Sequence, residues 1–309
     1  MSVVVGAVAP VFLLILFGFL LRRRGFPGEG FWALAERLTY FVLFPALLAE
    51  SLARAELDGL PVGPMAIVIV ATTLIMTGAI ALSRRFFALS GPAYTSVVQG
   101  AIRFNTYLGV AMVATLLGPG GVAIAALYLA IMVPFANLVC VWVLAVHATE
   151  GATDRRRVAL EIVRNPLVVG CIAGLVLQLV GGAPEAFLRF LGMLGQASLP
   201  IGLLCAGAGL DPVRLVSDRR ILALAAVAKL IAMPALMGIA CAIAGIDGMA
   251  LVVLVLFSAL PSAPSAYILA RQMGGDAPLM AAILTLQTGL SLATLPVVLT
   301  LAGATGASP

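Results

Sequence analysis

The sequence has few charged residues for its length. Only 10% of its 309 residues are Asp, Glu, Lys or Arg, 62% are hydrophobic, and the mean hydropathy is +1.17. Because a typical soluble domain has about 25% charged residues, this composition excludes an ordinary soluble fold. The phosphate-binding pattern G-x-x-x-x-G-K-[ST] is also absent, so we do not expect this chain alone to pump with ATP.

Residue types that build metal and catalytic centres are scarce. The single histidine, His147, falls at the end of an apolar run, and the four cysteines sit inside apolar runs at spacings that fit no metal motif. We therefore expect buried, apolar cysteines and no cofactor. An intramembrane enzyme is the least favoured class, because no acid pair or nucleophile–base pair occurs at membrane depth.

Long apolar runs are the dominant feature of the chain. A helix of about 20 apolar residues spans the roughly 30 Å hydrocarbon layer. The sequence therefore predicts an all-α polytopic membrane protein with ten transmembrane helices, in contact with the lipid bilayer on its outer face. The ten runs are Val3–Leu21, Trp32–Ala53, Val62–Leu82, Ala93–Leu117, Val122–Val146, Leu167–Gly182, Phe190–Leu210, Ile221–Ala244, Met249–Ala270 and Pro278–Leu301.

Arginines concentrate on one side of this predicted topology. Fourteen fall in or beside the loops that follow the odd-numbered helices, whereas the opposite loops hold only Arg54 and Arg189. By the positive-inside rule, we expect a multi-pass protein of the cytoplasmic (inner) membrane with both termini outside the cytoplasm. The arginines lie in separate short loops without interleaved aromatic residues, so we expect no nucleic-acid partner.

Three pairs of helix-breaking or polar residues recur at nearly one offset, each pair in corresponding helices of the two halves. This recurrence predicts an ancient duplication into residues 1–148 and 166–309, joined by a cytoplasmic loop at 149–165. Each half holds five helices, an odd number, so the two repeats are expected to be inverted. The pairs are Pro10 and Pro166, Pro45 and Pro200, and Asn105 and Pro261, with offsets of 156, 155 and 156.

Helices four and nine are both interrupted near mid-span. Arg103–Gly109 breaks the first and Leu260–Ser265 breaks the second. An unpaired backbone group in lipid costs several kcal/mol, so such breaks persist only where they line a protein cavity. Matching breaks in two halves of a chain indicate the substrate site of a transporter.

Two cations are predicted at membrane depth. Arg103 and Lys229 lie about 12–15 Å from the cytoplasmic ends of their helices, where a cation costs about 2.5–3.5 kcal/mol or more. We expect no carboxylate at that depth, because Glu36 falls near one end of helix two. The cations could pair with helix C-terminal carbonyls, face water, brace the broken helices or bind an anion. Half-helix N-termini at the breaks add positive charge, which favours an organic anion.

The remaining candidate residues are uncharged. Hydrogen bonds to a ligand could come from amide and hydroxyl side chains, although a buried Asn or Gln can also simply link helices. Glycine and proline are expected to shape the breaks. The hydrogen-bonding candidates are Asn105, Asn137, Ser262, Ser265 and Gln287, and the shaping candidates are Gly109, Pro261 and Pro264.

Five motifs resemble the auxin efflux carrier family of bacterial permeases. They are RFNTYLG from Arg103, MVPFAN from Met132, KLIAMP from Lys229, LPSAPSAYILARQMGGD from Leu260 and QTGLSLATLP from Gln287. The resemblance implies ten helices in two inverted repeats, with helices four and nine crossing at their breaks. It also implies a scaffold of helices one, two, six and seven, a mobile transport domain, homodimers and elevator-type motion.

The same resemblance places the site at Asn105, Pro261 and Pro264, with Asn137 nearby. Family members often carry Asn where this chain has Ser265, so ligand contacts are expected to differ. We therefore expect a secondary carrier for a small organic anion, either a dicarboxylate such as malate or malonate or an auxin-like acid. The coupling ion, sodium or proton, stays open. An anion channel or uniporter and a non-transporting membrane sensor are the alternatives.

Overall fold

The computed structural model describes residues 2–54, 61–148, 166–210 and 219–303, and every regular element in these ranges is helical. The predicted connecting loop at 149–165 lies outside the described residues. The first half comprises α1 (Ser2–Arg23), α2 (Glu29–Leu38), a π-helical turn (Thr39–Leu43), α3 (Phe44–Ala53), α4 (Val62–Ser83), α5 (Gly91–Ile102) and α6 (Thr106–His147). The second half comprises α7 (Pro166–Leu179), α8 (Glu185–Ala208), α9 (Arg219–Val227), a second π-helical turn (Ala228–Ala232), α10 (Met233–Ala244), α11 (Gly248–Ala259), α12 (Pro264–Gln272) and α13 (Ala277–Leu301).

Six stretches of the described chain are apolar and long enough to cross a bilayer. They are Gly30–Glu50, Val62–Ser83, Gly91–His147, Glu185–Ala208, Arg219–Ala244 and Ala277–Leu301, and Val169–Leu179 and Gly248–Ala259 are shorter apolar helices. Large apolar side chains also point outward, among them Leu34 and Ile243, which are 67% and 83% exposed. Lipid rather than water is the solvent that suits such a surface.

The long helix α6 changes direction at Gly118. This residue has φ +63° and ψ −159°, a backbone conformation that glycine adopts without the steric cost of a side chain. The bend falls between the predicted ends of helix four at Leu117 and helix five at Val122. The single run from Thr106 to His147 therefore contains the second part of one predicted span and all of the next.

The helices pack in two groups. Helices α1, α2, α3, α7 and α8 form one group of contacting helices, and α4, α5 and α9–α13 form a second group. Helix α6 contacts members of both groups, and α1 also contacts α13. Within the first group, Gly170 and Gly174 of α7 lie against Pro45 and Ala49 of α3. Glycines four residues apart allow two helix backbones to approach closely. The G-x-x-x-G stretch of α7 thus serves packing inside the chain.

We expect Gly170→Ala to destabilise the fold. A Cβ atom there would lie 2.7 Å from the Pro45 Cα and carbonyl oxygen, which are backbone atoms that cannot turn aside. Overpacking of this kind costs about 1–3 kcal/mol, so the midpoint of thermal unfolding in detergent should fall. Gly238→Ala in α10 is the control, because its nearest neighbour would be 4.0 Å away. Equal midpoints for the two variants would contradict the packing of α7 on α3.

Candidate functional site

The two predicted breaks meet inside the structure. Helix α5 ends at Ile102 and α6 begins at Thr106, while α11 ends at Ala259 and α12 begins at Pro264. The backbone between each pair of helices is extended, and the Asn105 N–H donates a hydrogen bond of 2.8 Å to the Pro261 carbonyl. We call these two segments, residues 103–105 and 260–263, the crossover.

Asn105 also caps the helix that leaves the crossover. Its side-chain Oδ1 accepts a hydrogen bond of 3.1 Å from the Leu108 N–H at the start of α6, and only 2% of the residue is exposed. Asparagine is among the preferred N-cap residues because its oxygen satisfies an otherwise unpaired helix N–H. The residue therefore stabilises the break while lining the space beside it.

Gln287 of α13 joins the second break to two other helices. Its Oε1 accepts from the Ser262 N–H at 3.0 Å, and its Nε2 donates to the carbonyls of Gly100 in α5 and Ala225 in α9, each at 3.0 Å. The Ser262 hydroxyl lies 2.6 Å from Gln287 Oε1 and 3.0 Å from the Gly100 carbonyl. Both side chains are fully buried. These bonds already occupy the Gln287 amide within the protein. The predicted contact of Gln287 and Ser262 with a ligand stays a prediction.

An aromatic layer supports the crossover from one side. Phe104, in the first break, packs edge-on against Tyr128 and Phe257, with ring centroids 5.6 and 5.4 Å away. Gly109 lies so close to Phe257 and Leu260 that a Cβ atom would come within 2.6 Å of both. This glycine therefore allows the start of α6 to approach the end of α11, which is the shaping role that the sequence predicts for it.

Lys229 approaches the crossover behind this aromatic layer. It is the only lysine of the chain, lies in the second π-helical turn and is 1% exposed. Its Nζ sits 6.0 Å from the centre of the Phe104 ring. Among the described residues it forms no salt bridge, and it does not line the two cavities described next. A buried cation over a ring face gains about 2 kcal/mol or more from that contact, which offsets only part of the free-energy cost of removing the charge from water.

Two small cavities, about 50 and 60 Å³ in volume, adjoin at Tyr40, Thr106 and Ser265. We call them together the crossover cleft. Each exceeds the roughly 10–15 Å³ that one water requires. The first is also lined by Glu36, Phe44, Asn105, Tyr107 and Ala263, and the second by Arg103, Phe104, Val133, Ala136 and Asn137. Four predicted site residues, Arg103, Asn105, Asn137 and Ser265, therefore share one cleft.

The cleft offers several hydrogen-bond donors and positive partial charges. Arg103 Nη2 donates to the Ser265 hydroxyl at 3.2 Å, while its buried Nη1 has no partner in the described parts of the chain. Helices α6 and α12 both begin at the crossover, and helix N-termini carry free N–H groups and partial positive charge. A guanidinium with a free N–H beside two helix N-termini is suited to binding a carboxylate.

The structure corrects one expectation about charge. Glu36 was expected near a helix end, away from the broken region, yet it lines the crossover cleft together with Tyr40 and Tyr107. The reason is that α2 begins at Glu29 and continues through the π-helical turn towards the crossover, so Glu36 lies two turns inside the helix. The spacing of four between Glu36 and Tyr40, which puts both on one helix face, was the available sequence signal.

Comparison with known proteins independently supports a role in membrane transport. Residues 153–299 match the family described as "Membrane transport protein". The chain is 27% identical over 292 residues to a protein of Methanothermobacter thermautotrophicus named "Uncharacterized transporter", covering 94% of this chain and 95% of the relative. It is also 27% identical over 308 residues to a Rhizobium meliloti protein named "Putative malonate transporter", covering 95% and 94%. These names are those of transporters rather than enzymes.

We expect Gln287→Leu to lower stability more than an ordinary polar-to-apolar change. The substitution leaves the Ser262 N–H and the Ala225 carbonyl unpaired in a buried region, at a cost of about 1–3 kcal/mol for each group. Thr115→Val is the control, since the Thr115 hydroxyl donates to the Ala111 carbonyl of its own helix and to no other described residue. Thermal unfolding should show a larger loss for Gln287→Leu. Equal losses would refute the bracing role.

Proposed function

We propose that this permease of the auxin efflux carrier family is a secondary carrier for a small organic anion. The observation that carries the proposal is the crossover cleft, where Arg103 and the N-termini of α6 and α12 face one space. A carboxylate there would accept hydrogen bonds from the Arg103 guanidinium and from backbone N–H groups. Asn137 and the Ser265 hydroxyl supply further polar contacts that would orient the ligand.

A dicarboxylate is the substrate class that we favour. Two small adjoining cavities, each with a polar wall, suit two carboxylates joined by a short linker. The similarity to a protein named as a malonate transporter supports malonate as the first compound to test. Malate and auxin-like acids are the next candidates.

The proposed mechanism is alternating access of the elevator type in a homodimer. We propose ten spans in two inverted repeats, with both termini outside the cytoplasm, in the cytoplasmic membrane. The two packing groups support this division, because α1, α2, α3, α7 and α8 would be the scaffold and the second group, with α6, would carry the crossover. Motion of the second group past the first would expose the cleft to each side in turn.

Lys229 would act electrostatically from behind the cleft. Helices α5 and α11 end at the crossover, and their C-termini carry partial negative charge. A cation beside Phe104 would offset that charge without contacting the substrate. In this role Lys229 takes the place that a coupling cation such as sodium could otherwise fill.

We expect malonate to stabilise the purified protein and Arg103→Gln to weaken that effect. Loss of a charge-assisted hydrogen bond costs about 1.5–3 kcal/mol, which corresponds to about 10- to 100-fold in Kd. Thermal stabilisation across a malonate titration measures this, since binding to the folded state raises the midpoint by mass action. Arg189→Gln is the matched control, because Arg189 pairs with Glu185 at the surface. Equal stabilisation of the two variants by malonate would show that Arg103 is not part of the binding site.

Counterflow in proteoliposomes separates a carrier from its alternatives. A carrier preloaded with malonate should draw in labelled malonate against its gradient, with saturating rates. Flux without saturation or counterflow would indicate an anion channel. Saturating counterflow without accumulation driven by an imposed proton or sodium gradient would indicate a uniporter. Binding without flux would indicate a membrane sensor.

We expect Lys229→Met to reduce counterflow while Lys229→Arg retains more of it. Methionine keeps the apolar stem but removes the charge that would offset the C-termini of α5 and α11, whereas arginine keeps the charge. The initial rate of labelled malonate exchange, normalised to folded protein, measures the effect. Equal exchange by wild type and Lys229→Met would show that the charge of Lys229 is dispensable.

A further inference from the structure

Glu36 is the one charged group in the crossover cleft that the proposed anion site does not use. Glu36 lines the same cavity as Asn105, Thr106 and Ala263, which lie at the starts of α6 and α12. A carboxylate is thus already positioned beside the two helix N-termini that would bind the carboxylate of a substrate. Among the described residues, Glu36 forms no salt bridge and no side-chain hydrogen bond.

The groups around Glu36 are mostly neutral. From the packed elements it faces Tyr40 of the π-helical turn, Tyr107 of α6 and Cys205 of α8. No described Lys or Arg lines the cavity that holds Glu36. Arg37 is exposed and stacks on Phe41, and Arg103 lines the adjoining cavity. Arg22, Arg23 and Arg24 are exposed after α1. No neighbouring group therefore neutralises Glu36 by a direct ion pair.

Two carboxylates cannot both stay ionised in so small a space at little cost, because like charges a few ångströms apart repel. In the empty site, ionised Glu36 can act as the counter-ion of the helix N-termini. With an anion bound, the protonated form of Glu36 avoids the repulsion and can donate its O–H to the ligand. Binding of the anion and binding of one proton to Glu36 then favour each other, and such linkage is reciprocal.

We propose that Glu36 is the proton-coupling residue of this carrier, taking up one proton when the organic anion binds and releasing it with the anion. This inference rests on the proposed function of the cleft. The proton binds an oxygen of the Glu36 carboxylate on α2, in the group that stays in place. From there it passes to the ligand carboxylate that Glu36 contacts, which leaves Glu36 ionised, and the anion carries the proton as the second group moves. The transport cycle is therefore anion–proton symport, in which the proton and not sodium is the coupling ion.

The test is the pH dependence of malonate binding to the purified protein. In wild type, Kd should fall by up to about tenfold for each unit that pH decreases, over the range in which Glu36 is ionised in the free protein. Glu36→Gln mimics the protonated side chain, so its Kd should be lower than that of wild type at high pH and independent of this titration. The Kd ratio of the two proteins at each pH cancels the ionisation of malonate itself.

Glu50→Gln is the matched control. Glu50 belongs to the same predicted span but pairs with Arg54 at the surface, away from the cleft. It should keep the pH dependence of wild type. An equally steep dependence in Glu36→Gln and wild type would overturn the assignment of Glu36, as would malonate binding that responds to sodium and not to pH.

Proton-driven transport provides a second measurement, which would not change if Glu36 had only a structural role. In proteoliposomes an inward proton gradient should drive accumulation of malonate by wild type and by Glu50→Gln, whereas Glu36→Gln should lose accumulation. Accumulation by Glu36→Gln equal to wild type would overturn the proposal. A different result would contradict the proposed anion-carrier function itself. In that case wild type would show no Arg103-dependent malonate binding at any pH.

Discussion

The need to pair backbone groups inside a membrane governs this structure. Helices α5 and α11 stop inside the protein, which leaves N–H and C=O groups that lipid cannot satisfy. The bond from the Asn105 N–H to the Pro261 carbonyl joins the two unwound segments, and the Asn105 side chain caps the next helix. Because each break supplies partners to the other, neither is stable alone, and the polar surface at their junction follows from this dependence.

The surrounding side chains make that junction rigid on one side and open on the other. Gln287 satisfies groups on three segments, and the rings of Phe104, Tyr128 and Phe257 fill the space behind the break. On the other side, Arg103 lines the cleft and donates to the Ser265 hydroxyl. The packed rings and Gln287 fix one side of the junction, and Arg103 lines the other. The site is therefore preorganised, so that little reorganisation is required when an anion binds.

Sequence patterns predicted the helical class, the positions of both breaks and four residues of the cleft, because apolar length and helix-breaking residues act locally. The ligand contacts of Gln287 and Ser262 stay predictions, and a sequence cannot show that these side chains bond to the carbonyls of Gly100 and Ala225. Glu36 was misplaced because its depth depends on how α2 and a π-helical turn approach the crossover, which is a matter of tertiary packing. The π-helical turns themselves carried no recognisable sequence signal.

The central claim is that the crossover cleft is where the organic anion binds. The most direct measurement is an experimental structure of the protein saturated with malonate at low pH. The account predicts density for malonate between Arg103 and the first residues of α6 and α12, with Glu36 within hydrogen-bonding distance of a ligand carboxylate. Malonate bound elsewhere, with the cleft holding only water, would contradict the account.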